Sequence, residues 1–435
     1  MRLADVVPAL GSRNFRLFFA GQTISLIGTW IQQIAMSWLV YRLSGSAFVL
    51  GLVGFLGQLP GFGIAPFAGV LSDRWNRHRM LLVTQTLAML QALALGVLVL
   101  TDRIDVPTIL VLSVALGIVN GVDIPTRQAF LIQLVERRED LANAIALNSS
   151  MFNGARLVGP ALAGMIIALV SEGICFVLNG LSYVAVLAAL LAMRLPPLPR
   201  LPIEHDVLRS LRDGLRYAFS SPPIRALLVL VALVSLTATP YTVLMPVMAA
   251  AVLGGGAHTL GILMAATGLG ALGGALYLAV RRTVLGLGRL IVLALAVFGA
   301  ALLAFALVRQ VWLSALVLVA AGAGMMVQMA SCNTVLQTIV DEDKRGRVMS
   351  FYTMAFMGMM PLGSLLAGSL ASRLGAPRTI AMGGAICLAG AVVFASQLSR
   401  LRAHVRPIYV RLGIVAEVAA GVQVASDLAT PPERQ

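Results

Sequence analysis

Asp123 and Arg127 stand four residues apart in a stretch that is otherwise almost wholly apolar. On a helix that spacing puts carboxylate and guanidinium on one face, within reach of each other. An ionisable pair among apolar residues can work as a proton-responsive switch, in which the pairing changes when the acid takes a proton. It can equally be a static bridge. Arg156 lies in another apolar stretch, on a face shared with Ser149 and Asn153. Set that deep, it needs a carboxylate (Asp73 or Asp123), carbonyls, water or an anionic ligand. A third cluster, Gly69-Val-Leu-Ser-Asp73-Arg74-Trp-Asn-Arg77-His-Arg79, gathers an acid and several guanidiniums between two apolar runs.

The elements that must position these groups are membrane helices. The chain has 435 residues, 59% hydrophobic and 11% charged, and its mean hydropathy is +0.91. A soluble domain carries about a quarter charged residues, so soluble enzymes, nucleic-acid binders and disordered chains are excluded. At ~20 residues per crossing plus a connection, there is room for about twelve crossings. Apolar segments fall at 15–40, 48–70, 80–100, 107–128, 143–169, 174–193, 224–248, 259–280, 288–308, 312–338, 348–370 and 379–398. The first is too long, and too rich in glutamine, for a cleaved signal peptide.

The net charge of +14 is not gathered into one stripe, and no nucleic-acid partner is implied. It reports orientation instead. With the N-terminus cytoplasmic, the outer loops hold only Arg42, Arg103, Arg309, Arg373 and Arg378, and nearly every other basic residue falls inside. Both termini are therefore expected in the cytoplasm. Cys175, Cys332 and Cys387 show no Cys-x-x-Cys spacing, so neither disulfide framework nor metal site is expected. There is no phosphate-binding Gly-x-x-x-x-Gly-Lys-Ser/Thr loop, no cofactor signature and no catalytic residue, and the chain is read as a non-enzyme.

The longest interior connection, 194–223, is rich in proline at both ends. Between the prolines Leu208, Leu211, Leu215 and Phe219 share one face, as in a surface amphipathic helix. It divides the chain into an N-terminal bundle (1–193), a cytoplasmic linker (194–223), a C-terminal bundle (224–398) and a basic cytoplasmic tail (399–435). The halves repeat: Gly159, Gly164 and Gln133 match Gly363, Gly368 and Gln337 at one offset. Duplicated halves are what rocking transporters use.

With the 69–79 loop, Pro125-Thr-Arg127-Gln-Ala-Phe, and Asn153-Gly-Ala-Arg156-Leu-Val-Gly159-Pro160-Ala-Leu-Ala-Gly164, the chain resembles the major facilitator superfamily. Within it, the chain is similar to the bacterial drug and siderophore exporters that include the enterobactin exporter and macrolide efflux proteins. The resemblance spans roughly 10–400. It implies an all-α membrane protein of twelve transmembrane helices in two pseudo-symmetric six-helix bundles, set in the bacterial inner membrane. It further implies a monomeric, proton-coupled exporter of amphipathic small molecules, surrounded by membrane lipids. A lysophospholipid or lipid flippase is the alternative, and a nontransporting receptor or assembly factor a third class. By the same resemblance, Gly69, Asp73, Arg74 and Arg77, with Asp123 and Arg127, form a gate latch. The second-half counterpart, Gly274 followed by Ala-Leu-Tyr-Leu-Ala-Val-Arg281-Arg282, lacks an acid, which predicts an asymmetric gate.

Polar residues at helical spacing mark a cavity. Gln22, Ser25, Thr29 and Gln33 form a stripe in the first segment, with Gln32 on an adjacent face. Asn120, Asn153, Arg156, Tyr241, Gln328 and Asn333 complete the candidate lining. Asp123 and Asp73 are the candidates for proton coupling, because embedded acids are costly and so functional by default. Methionines cluster in the tenth and eleventh segments (Met325, Met326, Met329, Met354, Met357, Met359, Met360), where flexible thioethers suit varied apolar ligands or ordinary packing.

Overall fold

A computed structural model describes residues 8–135, 137–194, 216–281 and 283–415, without the side chains of 62, 65–74, 138, 142 and 343. The linker helix expected over 208–219 therefore lies mostly outside the described residues. So do the side chains of Asp73 and Arg74, although the backbone there, Gly69 included, is helical.

The first half comprises α1 (Arg13–Ser44), α2 (Ala47–Arg74), α3 (Arg77–Leu100), α4 (Val106–Gln133), α5 (Leu141–Leu169) and α6 (Glu172–Ala192). The second comprises α7 (Pro222–Val252), α8 (Ala257–Val280), α9 (Leu287–Leu307), α10 (Val311–Ile339), α11 (Lys344–Leu374) and α12 (Ala376–Arg411). Among the described residues, 10 of these helices, α3 to α12, are long and apolar enough to cross a membrane. The fold is thus all-α and multi-pass. α1 exceeds the length of a crossing, and the apolar part of α2 found among the described residues is Ala47–Gly61.

Local chemistry explains where helices stop and bend. α1 ends at Gly45, whose left-handed φ of 60° lets its N–H donate to the Tyr41 carbonyl at 2.8 Å. α4 begins under Asp105, whose carboxylate accepts from the Thr108 N–H at 2.9 Å; those hydrogen bonds hold the carboxyl below its usual range. α7 is interrupted: the α-helix Pro222–Thr237 passes through a 3-10 turn at Thr239–Leu244, where Pro240 has no N–H to give, and ends in the π-turn Met248–Val252. A second π-turn, Met354–Gly358, lies inside α11. α12 continues past 398, where the crossing was expected to end, through Arg411.

Packing follows the repeat. α1 packs on α5 and α6 as α7 packs on α11 and α12; α3 packs on α4 and α6 as α9 packs on α10 and α12. Between the halves, α5 meets α8 and α2 meets α11, again equivalent pairs. The matched glycines sit at matched contacts. A Cβ on Gly159 would fall 2.4 Å from Trp30 Cβ on α1, and one on Gly363 would fall 2.5 Å from the Leu236 carbonyl on α7. Lipid gives helices no hydrophobic reason to associate, so close approach at small residues supplies the contact.

Candidate functional site

The interface between the halves is closed at one end and open at the other. A Cβ on Gly164 (α5) would lie 2.9 Å from the Gly261 Cα (α8), and one on Gly51 (α2) would lie 2.9 Å from the Gly368 Cα (α11). Both contacts belong to the end carrying the α1–α2, α5–α6, α7–α8 and α11–α12 connections. Further in, Gly268 of α8 still touches the Arg156 carbonyl, with a Cβ-to-oxygen distance of 3.0 Å. Beyond that point Gly154, Gly273, Gly63 and Gly346, on the same four helices, each face open space. α4 packs on α1, α2 and α3, and α10 on α7, α8, α9, α11 and α12, each within its own half, so away from the glycine seal the halves part into a cleft toward the linker.

Arg156 sits where the seal gives way to the cleft, partly buried. Its guanidinium carbon lies 5.8 Å from the centre of the Trp30 ring, which stands edge-on to Phe152 at 5.9 Å. That is within cation–π range. Among the described residues it pairs with no carboxylate, neither Asp123 nor any other. Tyr241 stands in the 3-10 turn of α7. Tyr241 is 2% exposed and packs edge-on to Phe298 at 5.9 Å; among the described residues its hydroxyl meets no hydrogen-bond partner within bonding geometry. Asn153 donates to the Ser149 carbonyl one turn back. The exposed Met354 and Met357 lie in the π-turn of α11.

Asp123 lies elsewhere, inside the first half and 3% exposed. Thr84 Oγ1 and Gln85 Nε2 of α3 donate to its Oδ1 at 2.7 and 2.8 Å, and Arg127 Nε stands 3.4 Å from its Oδ2. Pro125 between the pair cannot donate back along α4, so the Gly121 carbonyl loses its helical partner and the helix can flex beside the acid. The pair is therefore part of a four-residue cluster spanning two helices. Neither Thr84 nor Gln85 stood out in the sequence; their only sign was the polar tripeptide Thr84-Gln85-Thr86 in an apolar run.

The α1 stripe divides. Gln32, 5% exposed, donates to Gln91 Oε1 of α3 at 3.1 Å and accepts from Asn179 Nδ2 of α6 at 2.8 Å. Gln91 passes the chain on to the Leu112 carbonyl of α4 at 3.3 Å. The Gln32 amide is thus engaged within the first half, on the side of α1 that meets α3 and α6. Gln22 is also buried, Thr29 donates to the Ser25 carbonyl, and Gln33 is exposed. In the second half Gln328 is fully buried, donating to Cys332 Sγ at 3.3 Å, and its Oε1 has no hydrogen-bond partner among the described residues. Asn333 accepts from Gln337 on the same helix. Asn120 is partly buried on α4.

A further acid had escaped notice: Glu172 opens α6, 8% exposed, and takes Arg42 Nε from the end of α1 at 2.8 Å. It ties α1 to α6 at the sealed end. Arg77 begins α3, three residues after the end of α2.

A family model described as a transmembrane secretion effector matches residues 6–407. The staphyloferrin A transporter of Staphylococcus aureus is 28% identical over 394 residues, 89% of this chain and 97% of that protein. The multidrug efflux pump Tap of Mycolicibacterium fortuitum is 27% identical over 407 residues, covering 90% and 97%. Macrolide efflux protein A of Streptococcus pyogenes is 23% identical over 390 residues, covering 87% and 95%. Among solved structures, a POT family transporter in complex with 5-aminolevulinic acid superposes with a TM-score of 0.71 at 11% identity, covering 90% and 97%. An inward-facing, occupied bacterial homolog of the human lysosomal transporter Spinster gives 0.65 at 16%, covering 93% and 97%. At such identities the structural likeness speaks for the fold alone.

Proposed function

The chain belongs to the transmembrane secretion effector family of major facilitator transporters, a secondary-active transporter of small molecules and not an enzyme, and from that premise we propose that it exports amphipathic compounds such as drugs or siderophores by proton-coupled alternating access. The observation that carries this reading is the cleft: sealed by paired glycines at one end and parting toward the linker, with Arg156 beside the Trp30 ring where the seal gives way. Rocking of the halves about the α5–α8 and α2–α11 contacts would pass that point from one side to the other. The names of the relatives, a siderophore transporter and two efflux proteins, support the substrate class.

In this reading the chain acts as a monomer of twelve crossings in the bacterial inner membrane, with both termini cytoplasmic and the cleft open to the cytoplasm. Asp73, Arg74 and Arg77, with Gly69, close the linker-side end in the alternate state. The Asp123–Arg127 cluster, one helix away, links that latch to the proton. A second reading, lipid or lysophospholipid flipping, draws on Arg156: a cation without a carboxylate partner among the described residues suits a phosphate head group.

Proteoliposomes distinguish these. Under an imposed pH gradient, a polycarboxylate siderophore, a macrolide and a lysophospholipid are each offered to the purified protein. Accumulation of either of the first two, abolished by a protonophore, is expected. Movement of the lysophospholipid alone, or transport indifferent to the gradient, would overturn the export reading or its coupling.

A further inference from the structure

We propose that the second half carries a binding site for an anionic phospholipid at the linker-side membrane boundary, separate from the cleft between the halves. A cavity of about 480 Å3 opens there between the starts of α7 and α9 and the extended end of α12. Its walls are mostly carbon: Leu227, Ile291, Phe394, Leu398, Val405 and Tyr409. Its volume lies within the ~300–1,000 Å3 usual for small-molecule sites.

Depth identifies the occupant. A helix rises 1.5 Å per residue, so ~20 residues from Ala376 carry α12 through about 30 Å of hydrocarbon. By that count the cavity straddles the boundary: Phe394 and Leu398 fall at the hydrocarbon edge, Arg402 one turn further on at head-group depth, and Arg406 a turn beyond, where a helical side chain leans back toward the N-terminus and so toward the head groups. A soluble anion would gain nothing from the carbon walls, and in a zwitterionic lipid the head-group cation beside the phosphate would be repelled by the two arginines.

Charge points the same way. Arg402 and Arg406 share a helix face as like charges four residues apart, an arrangement that costs stability unless an anion intervenes. Among the described residues neither pairs with a carboxylate. The nearby Asp341 is already engaged, accepting from Arg411 Nη2 at 3.0 Å and Tyr217 Oη at 3.3 Å. That engagement also fixes the helical extension that forms the cavity wall. The first turn of α9, at Gly286, Leu287 and Gly288, adds the positive end of a helix to the same cavity. A phosphodiester between the arginines with an acyl chain against Phe394 and Leu398 satisfies both parts of the site.

The test uses the full chain in neutral detergent, with native mass spectrometry reading retained lipid during titration with phosphatidylglycerol or phosphatidylcholine. Wild type should retain phosphatidylglycerol and not phosphatidylcholine. At about a factor of five per arginine near a membrane surface, Arg402→Gln with Arg406→Gln should weaken retention about thirtyfold. Ala403→Trp, which adds bulk to the cavity and keeps both charges, should also abolish it. Melting temperatures without lipid, not lowered in either variant, guard against misfolding. The proposal fails if the double variant retains phosphatidylglycerol as wild type does, or if both lipids bind equally. It fails equally if inorganic phosphate displaces the lipid, or if wild type retains none.

Discussion

Gly164 and Gly261 meet backbone to backbone: a Cβ on either would lie 2.9 Å from the other's Cα. No side chain fits there, and the pseudo-symmetric Gly51–Gly368 contact has the same geometry, with corresponding distances of 2.9 and 2.8 Å. The sealed end is therefore held by two glycine pairs that any larger residue would push apart.

Gly164→Val is expected to destabilise this seal and shift the population toward the state open at that end. Spin-label distances between the α1–α2 and α7–α8 connections should lengthen by several ångströms, with transport lost. Unchanged distances would show that the seal is made elsewhere.

Asp73→Asn should act in the opposite sense, weakening the latch that closes the linker-side end. Transport should fall while substrate binding and expression persist, and the double variant with Gly164→Val should populate neither closed end well. Normal transport in Asp73→Asn would remove the latch assignment.

For Asp123→Asn, proton coupling predicts that gradient-driven accumulation disappears while substrate exchange at zero gradient continues. A static bridge predicts that both reactions fail together, with partial recovery when Arg127→Gln removes the unpaired cation. Preserved accumulation in Asp123→Asn alone would end the coupling hypothesis.

Gln32→Leu would strand the Asn179 amide of α6 and the Gln91 carbonyl oxygen of α3 inside the first half. Interhelical hydrogen bonds in membranes average only about 0.6 kcal/mol, but unsatisfied buried groups cost about 1–3. A loss of ~1–2 kcal/mol in stability is expected, read by unfolding in mixed micelles, with substrate affinity little changed. A large affinity loss without destabilisation would move Gln32 from scaffold to substrate site.

Topology has a direct check. Cysteines placed at Ser44 and Gly255 should react with an impermeant thiol reagent in intact cells, while one at Asn76 should be protected. The reverse pattern would invert the orientation read from the arginines.

Short-range regularities were legible without coordinates. Apolar runs of ~20 residues specify membrane helices because no other open structure satisfies its backbone in lipid. The four-residue spacing of Asp123 and Arg127 already implied their pairing, because it depends on one helix alone. The glycine repeat between 159–164 and 363–368 announced equivalent halves, because duplicated packing needs small residues at duplicated places. Which way each helix turns was a matter for the tertiary structure. In water a polar face marks the outside; in lipid the outer and inner faces are both apolar, so hydropathy does not separate Gln32, buried against α3 and α6, from its exposed neighbour Gln33. The same holds for the donors on Asp123: Thr84 and Gln85 are 39 and 38 residues away, and only the packing of α3 on α4 brings them together. Glu172 and Arg42, 130 residues apart, meet because α1 lies along α6. The cleft and the lipid-facing cavity belong to this second kind, since each is a space between helices and no single segment encodes it.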